Sequence, residues 1–153
     1  MMFWLLIGCI LFTADRITKY LALVYFAQKD YVFNVFLEGT YLLNQGVTYS
    51  FLTPKNAMYF WALTFLICIV NACLLLYWFN FKNTYTIFSF GLFLINIGSV
   101  SNIIDRFVYR GVVDWIYIHY QEYSFAVFNF ADIYISLGII LILYSYITNK
   151  KHA

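Results

Sequence analysis

Two stretches of this sequence, Ala57–Phe79 and residues 84–104, run without a single charged side chain. A hydrocarbon core about 30 Å thick is crossed by about 20 helical residues at about 1.5 Å each, so both are long enough to span a bilayer. The link between them holds only Asn80, Phe81, Lys82 and Asn83, which predicts an antiparallel helix pair. Two further apolar segments carry charge. Residues 3–27 are interrupted by Asp15, Arg16 and Lys19, and residues 130–148 hold Asp132 near their start. The sequence therefore predicts four spans, at residues 3–27, 57–79, 84–106 and 130–148. With no linker-like run and no internal repeat, they form a single integral-membrane domain over residues 1–153.

Composition agrees with a lipid-facing surface. The 153 residues are 64% hydrophobic and 24% aromatic but only 10% charged, where soluble domains carry about 25% charged residues. A chain this short could not hide 17 Phe, 15 Tyr and four Trp in one water-soluble core. The formal net charge of +2 is scattered and makes no basic patch, which excludes nucleic acid as a partner. Cys9, Cys68 and Cys73 lie in apolar runs and read as small hydrophobes. Residues 1–14 resemble the apolar part of a secretory signal. No basic residue precedes them, however, and Asp15, Arg16 and Lys19 stand where a cleavage site would, so an uncleaved first span and a complete chain are expected.

Four spans leave residues 28–54 and 107–129 on one side of the membrane. The first segment is rich in aromatic and β-branched residues around Glu38-Gly39, which predicts a hairpin turning there and lying on the membrane surface. Thr53-Pro54 reads as a helix cap followed by proline at the first helical position of the second span. Basic residues do not orient the chain: Lys82, Lys150 and Lys151 stand on one side, and Lys29, Lys55, Arg106 and Arg110 on the other.

A charge inside a bilayer is costly, so each one asks for a role. Asp15 and Lys19, four residues apart, share a helix face and read as a structural ion pair. Asn102, Asp105 and Arg106 fall on one turn, where Arg106 would hold Asp105 ionised and the cluster would position rather than react. Asp114 and Asp132 have no adjacent basic residue. Two desolvated carboxylates brought together would share one proton, the condition for an aspartic peptidase pair. A surface carboxylate at Asp114 and a helix cap at Asp132 are equally open readings. His119 and His152 are the only histidines, and the glycines form no phosphate loop, so no metal site, serine triad or cofactor is expected.

Five motifs together resemble lipoprotein signal peptidase, also called signal peptidase II: Asp15-Arg-Ile-Thr-Lys19, Asn44-Gln-Gly-Val-Thr-Tyr-Ser-Phe-Leu52, Gly98-Ser-Val-Ser-Asn-Ile-Ile-Asp-Arg106, Gly111-Val-Val-Asp114 and Phe128-Asn-Phe-Ala-Asp132. The resemblance implies four transmembrane helices with a small extracytoplasmic β-cradle, both termini in the cytoplasm of a bacterial inner membrane, and an aspartic endopeptidase that needs no cofactor. It implies Asp114 and Asp132 as the catalytic pair, with Asn44, Gly46, Asn102, Asp105, Arg106 and Asn129 lining or bracing the site. The substrates would be diacylglyceryl-modified prolipoproteins, cut just before the lipobox cysteine, with membrane lipids as surroundings and globomycin as inhibitor. Arg16 replaces the family's usual glutamine, Val47-Thr48-Tyr49 replaces Ala-Ala-Phe, Trp115 replaces phenylalanine, and Ser99 and Ser101 replace glycines. Ser101 is expected to shift the third helix. The rival readings are a non-cleaving lipoprotein-binding paralogue and a small transporter subunit with a relay of Asp15, Asp105 and Asp132.

Overall fold

The computed structural model describes residues 2–46, 56–83, 86–121 and 123–150. Helix α1 (Met2–Leu21) runs into a π-helical turn at Ala22–Phe26, followed by strands β1 (Tyr31–Asn34) and β2 (Leu37–Asn44). Helices α2 (Ala57–Phe79) and α3 (Ile87–Tyr109) come next, then β3 (Val112–Tyr120), β4 (Tyr123–Phe128) and α4 (Phe130–Lys150). The chain is thus a mainly helical membrane protein with a small antiparallel sheet, its strands in the order β1-β2-β3-β4.

Local capping sets the helix starts. Asn56, not Thr53, caps α2, its side chain accepting from the Tyr59 N–H at 3.1 Å; Thr53 and Pro54 lie outside the described residues. Thr86 caps α3 by accepting from the Ser89 N–H at 3.2 Å, so this helix begins at Ile87 and continues to Tyr109, the expected span shifted by three residues toward the C-terminus. Arg110 then takes the left-handed conformation with φ 57°, and the chain turns into β3.

Both hairpins differ from the sequence reading. The first turns at Val35-Phe36, because the Asn34 side chain accepts from the Phe36 and Leu37 N–H groups at 2.8 and 3.0 Å. Glu38 and Gly39 lie inside β2 instead. The second hairpin, β3–β4, was not expected from the residues of segment 107–129; it pairs with β2 and completes the four-stranded sheet.

By length and composition α2, α3 and residues 130–148 of α4 can each cross a membrane. Leu66, Ile69 and Leu76 on α2 and Ile140, Leu143 and Ile147 on α4 are all more than half exposed. So much exposed apolar surface along helices is suited to lipid, not water. The fourth helix of the bundle, α1, turns its charge inward, with Asp15 and Lys19 both fully buried. Trp4, Trp78, Leu92, Phe93 and Leu94 form an apolar cluster, and the Trp4 indole donates to the Lys82 carbonyl at 2.6 Å.

Helices α3 and α4 pack closest through glycine. A Cβ on Gly98 would lie 2.4 Å from the Ala131 carbonyl oxygen, and one on Gly91 would lie 2.8 Å from that of Gly138. The obstacle in each case is backbone, which cannot rotate aside. Gly98→Ala should therefore push the start of α4 off α3 and destabilise the protein by about 1–3 kcal/mol, measured as a lower midpoint of thermal unfolding in detergent. An unchanged midpoint would mean that the helices separate freely.

Candidate active site

The start of α4 is fixed by a reciprocal cap. Asn129 accepts from the Asp132 N–H at 3.0 Å, and the Asn129 N–H donates to Asp132 Oδ2 at 3.1 Å. This is the capping-box arrangement, two otherwise unpaired donors satisfied by each other's residues. The cap itself is Asn129. Asp132 is its partner one turn in, and its second oxygen, Oδ1, accepts from the Asn102 amide at 2.9 Å.

Strand β3 delivers the other carboxylate to the same place. Asp114 is only 2% exposed and so is no surface residue. Its Oδ1 accepts from the Asn129 amide at 2.7 Å and its Oδ2 from the Asn44 amide at 3.1 Å. Asn129 thus touches both carboxylates, Asp114 through its side chain and Asp132 through its main chain. Among the described residues neither carboxylate has a Lys, Arg or His within ion-pair distance. Burial, and then the charge of Asp132, push the Asp114 carboxyl up from its ordinary range to about 7, although Asn44, Asn129 and the charge of Lys19 pull the other way. Asp114 is therefore poised to gain or lose a proton near neutrality.

Behind this pair lies a buried ionic brace. Lys19 Nζ lies 3.0 Å from Asp15 Oδ2, 2.8 Å from Asp105 Oδ2 and 2.7 Å from Asn102 Oδ1. The expected Asp15–Lys19 pair exists, but it is one edge of a larger network. Asp15 Oδ1 accepts from the Ala131 N–H at 2.9 Å, and Asp105 Oδ2 accepts from the Val113 N–H at 3.2 Å. Each brace carboxylate therefore grips the amide of the residue just before a site carboxylate.

Arg106 does not pair with Asp105, contrary to the sequence reading. Consecutive helical residues do not face each other. The guanidinium instead donates to the Gln45 carbonyl at 3.3 Å and to the Gly46 carbonyl, while Asp105 is paired by Lys19 and Arg16. Gly46 is also held by its N–H donating to the Asn44 side chain at 3.0 Å. Arg106 thus anchors the chain leaving β2. Because lysine lacks the planar fork of donors, Arg106→Lys should lower kcat/KM at least about tenfold, whereas Arg110→Lys, at an exposed position, should leave it unchanged. Equal effects at the two positions would remove this anchoring role.

Arg16 and Ser101 were read only as departures from a pattern, and both belong to the brace. The Ser101 hydroxyl donates to Asp15 Oδ2 at 2.6 Å, so it faces α1 and does not wedge α3 from α4. Charge offered a signal for Arg16, since a cation within a span needs an anion. No sequence signal pointed to Ser101. Trp115 packs against Phe26 and Phe130, and Val47, Thr48 and Tyr49 lie outside the described residues.

The two site carboxylates open onto a cavity of about 630 Å³ between α2, α3 and α4. Its lining joins polar residues, among them Asn44, Asn102, Arg106, Asp114 and Asp132, to apolar ones, among them Ile67, Ile103, Ile135 and Leu137, with Gly46 beside them. The polar groups can handle charge and water, and the apolar ones suit an acyl chain or an apolar peptide.

Known proteins resemble this chain over most of its length. The sequence pattern of the family described as signal peptidase (SPase) II matches residues 7–148. A lipoprotein signal peptidase of Clostridium tetani is 36% identical over 135 residues, covering 84% of this chain and 82% of that protein. One from Dichelobacter nodosus is 33% identical over 138 residues, covering 90% and 89%. A lipoprotein signal peptidase of Rickettsia africae is 36% identical over 124 residues, and the chain spans 58% of its length. Among solved structures, a bacterial membrane enzyme determined by the in meso method at 2.3 Å resolution superposes with a TM-score of 0.81 at 24% identity, covering 99% of this chain and 92% of that one. This last likeness concerns the fold.

Proposed function

The chain belongs to the signal peptidase II family, and from that premise we propose that it is an aspartic endopeptidase removing the signal peptide from diacylglyceryl-modified prolipoproteins, with Asp114 and Asp132 as the catalytic pair. One observation carries the reading: two carboxylates from different elements, Asp114 buried and Asp132 half-buried, without a cationic partner in ion-pair distance among the described residues, held by one asparagine against a cavity with both polar and apolar lining. The ionised member takes a proton from the attacking water. Its protonated partner hydrogen-bonds the scissile carbonyl and stabilises the oxyanion that forms there. Collapse of that intermediate breaks the C–N bond, and the proton passes to the leaving amine of the lipid-bearing cysteine.

A diacylglyceryl substrate leaves the bilayer at a cost of about 0.8 kcal/mol per CH₂, which favours cleavage at the membrane. The transporter reading is not favoured. Its relay would run through Asp15 and Asp105, and both are held in ion pairs. The proposal includes a bacterial inner membrane, cytoplasmic termini and a site on the extracytoplasmic side. Reporter fusions after Asn80 and after Lys151 should accordingly register the cytoplasm, and one inserted at Gly39 the outside; a tail registering outside would remove the four-span topology.

The decisive assay incubates purified protein with a diacylglyceryl-modified prolipoprotein. A product shortened to the lipid-bearing cysteine is expected, and globomycin should block its formation. An intact substrate would overturn the reading, whereas binding without cleavage would favour the non-cleaving paralogue.

A further inference from the structure

Hydroxyl groups within spans ordinarily find a partner in their own helix. Thr18, Thr64 and Thr148 do so here, donating to the Ala14, Phe60 and Tyr144 carbonyls at 3.0, 2.9 and 2.9 Å. Ser99 on α3 and Ser136 on α4 do not: both line the cavity, and among the described residues neither hydroxyl is hydrogen-bonded. Ser89 also lacks a partner, but it is fully buried and does not line the cavity. Among the described residues that line the cavity, Ser99 and Ser136 are the only ones with a hydroxyl group.

Their placement follows from the helix packing. Helices α3 and α4 run antiparallel with Gly98 seated against Ala131 and Ile135. Ser99 follows Gly98, and Ser136 stands one turn, about 6 Å, along α4 from Asp132. Ser99 therefore stands level with the start of α4 and Ser136 deeper in the helix pair, and because side chains lean toward the N-terminus of their own helix, the lean narrows the depth between the two hydroxyls. An extended peptide advances about 3.3–3.6 Å per residue, so a chain whose bond is held at Asp132 passes Ser99 first and reaches the level of Ser136 about two residues away.

We propose, resting on the function argued above, that Ser99 and Ser136 form a subsite that hydrogen-bonds the main chain of the signal peptide about two residues before the scissile bond. A peptide bond can be attacked here only if the chain around it is extended, and extending a membrane helix frees N–H and C=O groups that lipid cannot satisfy. In the proposed orientation the cytoplasmic ends of α3 and α4 lie on the Ser136 side of Asp132, as does the part of the substrate preceding the cut. The subsite reads backbone, so it tolerates many sequences while requiring an unwound one.

The test compares parent, Ser99→Ala, Ser136→Ala and the double variant, using purified enzyme and diacylglyceryl-modified prolipoprotein. Each single change should lower kcat/KM about threefold to fivefold and the double change at least about tenfold, with thermal midpoint and pH profile unmoved. The backbone assignment is read from substrates carrying an ester in place of the amide at the second or third residue before the cut. One of these esters should slow the parent but slow the double variant no further, since both changes remove the same bond. A double variant within about twofold of the parent, or ester effects that add fully at both positions, overturns the subsite and leaves the peptidase reading intact. A parent that does not cleave overturns both.

Discussion

Asp114→Asn or Asp132→Asn should each lower the cleavage rate by several orders of magnitude while the protein still folds and reaches the membrane. Asparagine keeps the size of the side chain and removes only its ability to carry the proton. Because the two carboxylates act as a unit, the double variant should be scarcely worse than either single one. Activity should fall as pH rises through about 7, where the Asp114 carboxyl gives up its proton, since a doubly ionised pair has no acid. It should fall again in acid, where the doubly protonated pair has no base.

The same group predicts a stability signature. The folded-state pKa of Asp114 lies at about 7, above its ordinary value of 3.8. The native state thus keeps a proton that the unfolded state has released, and the stability this confers is lost as pH rises from about 4 to about 7. Asp114→Asn has no such proton to lose. It should gain on the parent across that range by up to about 4 kcal/mol, read as a pH-dependent rise in the difference between their thermal midpoints. A variant that is both inactive and relatively more stable at neutral pH is the mark of a buried reactive carboxylate. Robust cleavage by Asp114→Asn would sink the assignment and turn attention to Asp105.

The spans were legible because bilayer thickness sets a length that an uncharged run either meets or misses, and Ala57–Phe79 meets it at the residues expected. The site carboxylates were legible as a suspicion. Asp114 and Asp132 stood out by lacking basic neighbours in sequence, and the fold provides none in space within ion-pair distance among the described residues. What the sequence hid was direction around a helix. Asp105 and Arg106 are neighbours in the chain yet about 100° apart around the helix axis, so one faces α1 and the other the chain after β2. Ser101 gave no sign that it would meet Asp15, because that contact joins residues 86 apart in sequence. Strand β3 alternates aromatic and β-branched residues from Trp115 to Ile118, a period-two signal that the chemistry of Asp114 drew attention away from. The turn at Asn34 was missed for another reason: Gly39 attracted the prediction, although here glycine serves close packing, since a Cβ on it would lie 2.8 Å from the Phe26 ring.

Lys19→Met should lower the yield of folded protein severely, and adding Asp15→Asn should restore part of it. Lys19 is fully buried and contacts Asp15, Asp105 and Asn102 at 3.0 Å or less. Its loss leaves two buried carboxylates with only the Arg16 guanidinium, which reaches Asp105 and not Asp15 among the described contacts. Removing one partner of a buried ionic group costs about 3–5 kcal/mol, because the remaining charge is neither solvated nor paired. Asparagine at position 15 deletes that stranded charge while keeping one oxygen to accept from the Ala131 N–H, and its amide NH₂ can donate to the Ser101 hydroxyl oxygen in place of the bond that hydroxyl now gives. The restored double variant should nevertheless cleave slowly. The tie from Lys19 to Asp105 and Asn102 is still missing, and through them the amide before Asp114 and the carboxylate of Asp132 have lost their common anchor. Folded yield, measured by size-exclusion chromatography in detergent, and the cleavage rate per folded molecule separate the two effects. Full yield from Lys19→Met alone would show that the brace contributes no stability, and full activity per folded molecule in the double variant would show that it does not position the site.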